Sequence, residues 1–320
     1  MNRKLAVLSV VVLAVLSAGC MGALSSDGEP VEQAPQESDV LIHLDMAMYG
    51  DDDVERLAGA AADEDPGFDG LDEELEEFED ETGLDAGEAH EILFFAEIPD
   101  MEAQMDPDTE ELLGFIVHSG WDESEVIESI EDEEDIEYEL TEHAGEDVLY
   151  EPTEEPAFGD AVYVGVLEDG QFVIGTEAAV TASLDTVYDD ADSVDGELRE
   201  VYDDMHGGHV TVAVDIGEEV TEGMGFGEEV AQATVAGGSF DTSDGDVILS
   251  GQVIAAEEND AADIVDMING GLATARQAAD DADVEDELRK MEAEQDGTTV
   301  TISYEGSIDD LEDLMEMDDV

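Results

Sequence analysis

The stretch Ala161-Val-Tyr-Val-Gly-Val-Leu-Glu-Asp-Gly-Gln-Phe-Val-Ile-Gly175, continued by Thr176-Glu-Ala-Ala-Val-Thr-Ala-Ser-Leu-Asp-Thr-Val-Tyr188, carries the clearest structural signal of the sequence. Two apolar runs flank Asp169-Gly170, a dipeptide that favours a tight hairpin turn. Thr176 is a favourable helix N-cap, and Val180, Leu184, Val187 and Tyr188 then follow at helical spacing. We therefore predict a β-hairpin over 161–175 that runs directly into a helix.

Similar strand-like and helix-like segments continue on both sides of this stretch. Apolar runs and alternating segments predict strands at 39–45, 92–98, 112–118, 136–141, 147–150, 209–215, 233–240, 246–255 and 299–304. Helical spacing and capping residues predict helices near 71–78, from Asp122, over 197–205, after Asn259, over 284–295 and from Ser307. We expect Gly270-Gly271 to weaken or break the helix after Asn259. The pattern predicts an α+β fold with mainly antiparallel sheets, each covered by helices on one face.

A strand pattern from the start of the predicted fold recurs near residue 209. The predicted strand His209–Asp215 matches Asp39–Asp45 in length, alternation and closing aspartate. This predicts one α+β unit over 39–205 and a second over 206–320. A duplicated unit and two unrelated units are both compatible with the match, because the two halves, 39–205 and 206–320, differ in length.

The N-terminal segment has the features of an export signal. Arg3 and Lys4 precede an apolar block from Leu5 to Leu16, and small residues lead to Cys20. The block is shorter than the ~20 residues that cross a bilayer core. Ser17-Ala-Gly-Cys20 resembles the lipobox of exported lipoproteins, although Ser17 stands where an aliphatic residue is usual.

The lipobox resemblance implies a signal peptide over 1–19 and a lipid on Cys20, the only cysteine of the chain. Residues 21–38 are small, polar and proline-containing, so we expect 20–38 to be a lipid anchor and flexible tether. Membrane attachment through Cys20 would place the protein on the outer, extracytoplasmic face of the cell membrane. An ordinary cleaved signal and an uncleaved anchor helix are the alternatives.

The charge of the chain is extreme. It has 93 acidic and 7 basic residues and a net charge of −86 at pH 7. Such a chain is either disordered or folded in concentrated salt, where self-repulsion is screened. Because 42% of the residues are hydrophobic and fall in periodic segments, we expect a folded halophilic protein that binds solvent cations. Nucleic-acid binding lacks the basic patch that it requires.

No arrangement of residues indicates a catalytic or metal site. His206-Gly-Gly-His209 offers two imidazoles without a third ligand, and 63–70 and 241–246 lack the spacing of a calcium loop. The Gly223–Gly227 segment lacks the third glycine of a dinucleotide-binding loop, and Ser119 and Ser239 lie outside any nucleophile elbow. Trp121, Phe115 and Tyr163 are either groove or core residues. We therefore predict no catalytic residue, no metal and no cofactor.

The chain as a whole resembles uncharacterised exported α/β proteins of haloarchaea. Its segment Asp169–Asp185 is similar to a strand-then-helix element of a widespread exported domain of unknown function. The resemblance implies an architecture and no activity. The expected function is that of a lipid-anchored extracytoplasmic binding or cell-envelope interaction module that is not an enzyme. An exported hydrolase with a carboxylate or His-metal site, and a substrate-binding lipoprotein of an importer, are the alternatives.

Overall fold

The computed structural model describes residues 29–64, 70–98, 112–134, 136–154, 161–216, 233–279 and 282–311. The predicted signal segment, Cys20 and the 223–227 glycine run lie outside the described residues. Within the described ranges, no helix is both long enough and apolar enough to cross a membrane.

Most strands and helices lie close to the positions that the periodicity predicts, but the helix over Asp52–Glu64 and the strand over Glu292–Asp296 were not predicted. The strands are β1 (Val40–Asp45), β2 (Ala89–Ala96), β3 (Leu113–Ser119), β4 (Tyr138–His143), β5 (Glu146–Pro152), β6 (Tyr163–Glu168), β7 (Gln171–Gly175), β8 (Val210–Asp215), β9 (Ala233–Ser243), β10 (Asp246–Ala255), β11 (Glu292–Asp296) and β12 (Thr299–Ser307). The helices are α1 (Asp52–Glu64), α2 (Leu71–Thr82), α3 (Glu123–Glu134), α4 (Glu177–Tyr188), α5 (Gly196–Met205), α6 (Glu258–Ala278) and α7 (Ala282–Lys290). Short 3-10 turns span Pro30–Glu32, Met46–Gly50 and Ala86–Glu88.

The chain divides into two compact units. Among the described residues, unit 1 comprises 29–47 and 70–195, and unit 2 comprises 48–64 and 196–311. The division expected from sequence, 39–205 and 206–320, differs from this one at two helices. In unit 2, α5 packs on β8 and β9, and Leu57 of α1 packs against Val247, Tyr304 and Ile308.

Each unit has an antiparallel sheet. The strand order is β1-β2-β3-β7-β6-β5-β4 in unit 1 and β8-β9-β10-β12-β11 in unit 2, and neighbouring strands pair antiparallel. The predicted α+β class with mainly antiparallel sheets is confirmed. In both units, three sequential strands are followed by at least one helix. The strand after the helix, β4 in unit 1 and β11 in unit 2, lies at the outer edge of its sheet. The last strand of each unit, β7 or β12, pairs with the third strand, β3 or β10. This shared path supports the duplication, which stays a prediction.

The hairpin and helix at 161–188 form as predicted. β6 pairs with β7, and Gly170 has a φ of +72° that suits the turn. A side chain at Gly170 would also collide with the Ser119 carbonyl oxygen. The Thr176 hydroxyl accepts the Ala179 N–H at 3.3 Å and so caps α4. This part of the fold therefore follows from local sequence alone.

Helices lie against both faces of the unit 1 sheet, whereas the sequence pattern suggested one face. A Cβ on Gly114 would meet Phe95 and Ala179 of α4, which puts these residues on one side of the sheet. Successive side chains of a strand point to opposite faces of the sheet. Phe172 and Val117, which point to the other face, pack with Trp121 and with Val126 of α3. The central strands are therefore apolar on both faces, which explains their near-continuous apolar runs.

Unit 2 has the same layering. A Cβ on Gly237 would collide with Val201 of α5. Val253 and Val300 point to the opposite face of the sheet, where they pack with Ile264 of α6. The α5 and α6 helices therefore cover opposite faces of the sheet.

Three local predictions are wrong. Residues 30–38, expected in the tether, pack on unit 1, where Val31 and Ala34 are fully buried and the Ala34 carbonyl accepts the Val194 N–H at 3.0 Å. The α6 helix continues through Gly270-Gly271. Residues 292–295, expected in a helix, form the edge strand β11 because a turn at Gly297 (φ +64°) returns the chain to pair with β12.

Candidate functional site

The two histidines of the 206–209 turn contact different neighbours. The His206 ring stacks on Tyr202 of α5, with 5.2 Å between ring centroids. His209 is buried and pairs with the Asp241 carboxylate of β9. Gly207, with a φ of +112°, turns the backbone between the two histidines. Among the described residues, no group of three or more His, Cys, Asp or Glu side chains is placed to hold a metal ion.

The candidate groove aromatics belong to the core of unit 1. Trp121 is 6% exposed, its ring stacks on Phe78, and its indole N–H donates to the Asp85 carbonyl at 2.8 Å. Phe115 packs against the same cluster. Tyr163 is half-buried in β6. Trp121 and Phe115 are therefore core residues, and Trp121, which lies just before α3, packs against Phe78 of α2.

The acidic turn at 241–246 connects β9 to β10. Asp244 and Gly245 both have positive φ values, +53° and +87°. The Gly245 N–H donates to the Asp53 carboxylate at 3.0 Å, and its carbonyl accepts the Ile308 N–H at 2.9 Å. These contacts join α1 and residue 308 to the turn. The other calcium-loop candidate, 63–70, lies largely outside the described residues.

A buried polar network in unit 1 escaped the sequence analysis. The Gln33 side-chain amide donates to the Gln171 side-chain oxygen at 2.5 Å, and its own oxygen lies 3.0 Å from Nε2 of His118. The other ring nitrogen of His118 lies 3.6 Å from the Glu91 carboxylate. Gln33, His118 and Gln171 are all buried. The network ties the N-terminal segment to strands β2, β3 and β7.

A second network lies in unit 2 around the buried carboxylate of Glu287. It accepts the Tyr304 hydroxyl at 2.8 Å and the Lys290 ammonium at 2.6 Å. Lys290 also lies 3.4 Å from Asp310. Burial and the hydrogen bond to Glu287 raise the pKa of Tyr304 above its ordinary value. The hydrogen bond to Glu287 raises the pKa of Lys290, so both donors keep their protons beside the carboxylate.

We predict that Tyr304→Phe lowers the free energy of unfolding by about 2 kcal/mol, because the substitution removes a buried hydrogen bond to a charged acceptor. Since the pKa of Tyr304 is raised in the folded state, the stabilisation is complete below the unfolded pKa of ~10 and is lost as the pH rises through the folded value. Denaturant unfolding of both proteins from neutral to alkaline pH measures the difference.

The matched control for this prediction is Tyr138→Phe. The Tyr138 hydroxyl donates to the uncharged Val162 carbonyl at 2.8 Å, so its loss costs about 1 kcal/mol. Equal stability of wild type and Tyr304→Phe at neutral pH would contradict a structural role for the Glu287 network.

All five basic residues outside the N-terminal segment belong to unit 2. Arg56, Arg199, Arg289 and Lys290 form ion pairs with carboxylates. Arg276 donates to the carbonyls of Leu288 and Met291 at 2.8 and 3.1 Å, at the C-terminal end of α7. Unit 1 contains no lysine or arginine. Its histidines are therefore its only basic side chains.

Comparison with known proteins identifies no family. No protein-family profile matches the chain, and no curated protein matches it. Solved structures of a protein named TP0453 are similar in fold. Its crystal form III has 10% sequence identity and a TM-score of 0.49 over 92% of this chain and 100% of the other, and crystal form IV has 9% identity and the same score over 90% and 96%. A likeness at this level carries no statement about function.

Proposed function

We propose that this protein is a lipid-anchored extracytoplasmic protein of a haloarchaeon that serves as a non-enzymatic binding or cell-envelope interaction module. The observation that carries the proposal is the N-terminal segment, in which a positive start, an apolar block and small residues lead to the only cysteine. In this proposal the lipid on Cys20 attaches the chain to the outer face of the cell membrane. The acidic surface retains solvent cations and repels nucleic acid.

The packing of residues 30–38 supports a short connection to the membrane. The chain joins unit 1 from Pro30 onward, where Val31 is fully buried. About nine residues separate this point from Cys20, and they reach at most ~30 Å when fully extended. A lipid on Cys20 would therefore hold the domain close to the membrane surface, as suits a module that works on the cell envelope.

The environment of the histidines supports a non-enzymatic role. His118 bridges Glu91 and Gln33, His143 pairs with Asp185 at 2.7 Å, and His209 pairs with Asp241. Each of these contacts joins two structural elements. These three histidines therefore act as cross-links between elements.

We predict that wild-type protein partitions into the detergent phase of a membrane extract and that Cys20→Ser moves into the aqueous phase. A serine cannot take the thioether-linked lipid, and among the described residues no helix is long and apolar enough to cross a membrane. Ser26→Ala, a change in the same stretch that leaves Cys20 in place, is the control and should partition like wild type. If Cys20→Ser stays in the detergent phase, attachment does not depend on a lipid at Cys20.

A further inference from the structure

Residues 30–38 are held on unit 1 by a set of contacts that includes one buried histidine. Ala34 is fully buried, and its carbonyl accepts the Val194 N–H at 3.0 Å. The side chain of Gln33 contacts His118 of strand β3, whose side chain is 2% exposed. Gln33 therefore joins the segment that leads to the proposed lipid anchor to a titratable group of the core.

The orientation of the Gln33 amide is set by Gln171. The amide nitrogen of Gln33 donates to the Gln171 side-chain oxygen at 2.5 Å, so the amide oxygen of Gln33 faces Nε2 of His118 at 3.0 Å. A carboxylate oxygen of Glu91 lies 3.6 Å from Nδ1 of the same ring. Both ring nitrogens thus face oxygen atoms that only accept hydrogen bonds. A neutral imidazole carries one N–H and an imidazolium carries two, so the arrangement is that of the protonated ring.

The charged groups around His118 favour the same state. The elements around the ring contribute only acids: Glu91 on β2, Asp45 beside it on β1, Glu168 on β6, and Glu29 and Glu32 at the 30–32 turn. On α4, Thr186 donates to the Gln33 carbonyl at 3.3 Å and is uncharged, and the neighbouring Asp185 pairs with His143. Unit 1 contains no lysine or arginine, so no fixed positive charge opposes protonation of the ring.

We propose that His118 is a proton-controlled latch for the N-terminal segment 30–38. With the ring protonated, both nitrogens donate, one to Gln33 and one to Glu91, and the segment is held against the sheet. Loss of the proton leaves one nitrogen with a lone pair that faces an oxygen atom, so an attraction is replaced by a repulsion. The segment is therefore held most firmly at low pH, and its attachment weakens as the pH rises through the titration of His118.

The latch changes how far the domain can stand from the membrane, a consequence that rests on the lipid anchor proposed above. With the segment attached, about nine residues connect the fold to Cys20, and they span at most ~30 Å. Release of the segment up to Ser38 doubles the number of connecting residues and extends the reach to at most ~60 Å. A rise in pH would thus bring partners farther from the membrane within reach of the domain.

Hydrogen exchange of the full chain in concentrated salt, on a Cys20→Ser background, tests the latch without the lipid. The reporter is the Val194 N–H, which donates to the Ala34 carbonyl of the segment, and its protection factor corrects for the intrinsic pH dependence of exchange. As His118 loses its proton, which the nitrogen NMR shifts of its ring follow, we expect the protection of Val194 to fall at least about tenfold. The amides of the β6–β7 hairpin should keep their protection.

Two variants separate the latch from a hydrogen bond that is merely structural. His118→Gln removes the titration, so the protection of Val194 should no longer change with pH. Glu91→Gln is nearly isosteric and removes the carboxylate that stabilises the charged ring, so the midpoint of the change should move to lower pH. His143→Gln removes another histidine of unit 1 that pairs with an acid. It is the matched control and should give the parent profile.

Constant protection of Val194 in the parent protein across the titration of His118 would overturn the proposal. An identical pH profile in the parent and in His118→Gln would also overturn it, because another group would then control the segment. An attached segment beside a ring that carries a single proton would show that the Gln33 amide donates to His118, which is the opposite of the proposed arrangement.

Discussion

Lowering the salt concentration below about 0.5 M is expected to unfold unit 1 before unit 2. Unit 1 contains no lysine or arginine, so nothing but its histidines and solvent cations offsets its carboxylates. At 1 M salt the Debye length is about 3 Å and neighbouring carboxylates are screened, whereas dilution lengthens it and restores their repulsion. In unit 2, ion pairs such as Arg56 with Asp309 and Lys290 with Glu287 relieve part of this repulsion.

The sequence provides a probe for each stage of this transition. Trp121 is the only tryptophan and lies in the core of unit 1, so its fluorescence reports that unit alone. Far-UV circular dichroism reports both units. During stepwise dialysis, the Trp121 signal should change at higher salt than the last part of the dichroism signal. Coincident transitions would contradict the asymmetry, and spectra unchanged at low salt would contradict the screening argument itself.

We expect Gly175→Ala to destabilise unit 1 by about 3 kcal/mol, at the upper end of what overpacking costs. A Cβ at this position would collide with the Leu113 carbonyl oxygen and lie 2.7 Å from Gly114 Cα, and both contacts are to backbone. Backbone cannot move aside without opening the β3–β7 pairing, in which Gly114 and Gly175 face each other. The Leu113 carbonyl also accepts the Thr176 N–H at 3.0 Å, so the start of α4 would shift as well.

Gly120→Ala is the control for this substitution. A Cβ at Gly120 would have its nearest neighbour, the Glu88 Cβ, at an ordinary distance of 3.6 Å. Denaturant unfolding in concentrated salt, followed by Trp121 fluorescence, should give a large loss for Gly175→Ala and a small change for Gly120→Ala. Equal stability of the two variants would show that β3 and β7 are not packed as closely as described.

Local signals in the sequence predict much of the fold. The hairpin at Asp169-Gly170, the Thr176 cap and the turn before β10 depend on neighbouring residues, so they are visible without the rest of the chain. One half of the predicted capping box also forms, since the Asp122 N–H donates to the Glu125 carboxylate at 3.0 Å. Such features need no knowledge of distant contacts.

The errors occur where distant contacts decide the conformation. Val31 and Ala34 are too few to give a periodic signal, yet residues far along the chain bury them. The helix of Gly270-Gly271 persists because the packing of Ala261 and Ile264 outweighs the low propensity of glycine. The Gln33–His118–Gln171 network joins residues up to 138 positions apart. No local pattern in the sequence marks such a network.

The intact mass of the protein in the membrane fraction of native cells tests the central proposal most directly. A lipid anchor predicts a chain that begins at Cys20 and is heavier than its sequence by a lipid adduct. The adduct should be absent from a Cys20→Ser version. An unmodified chain that still carries Met1–Gly19 would contradict the proposal and make the N-terminal segment a plain membrane anchor.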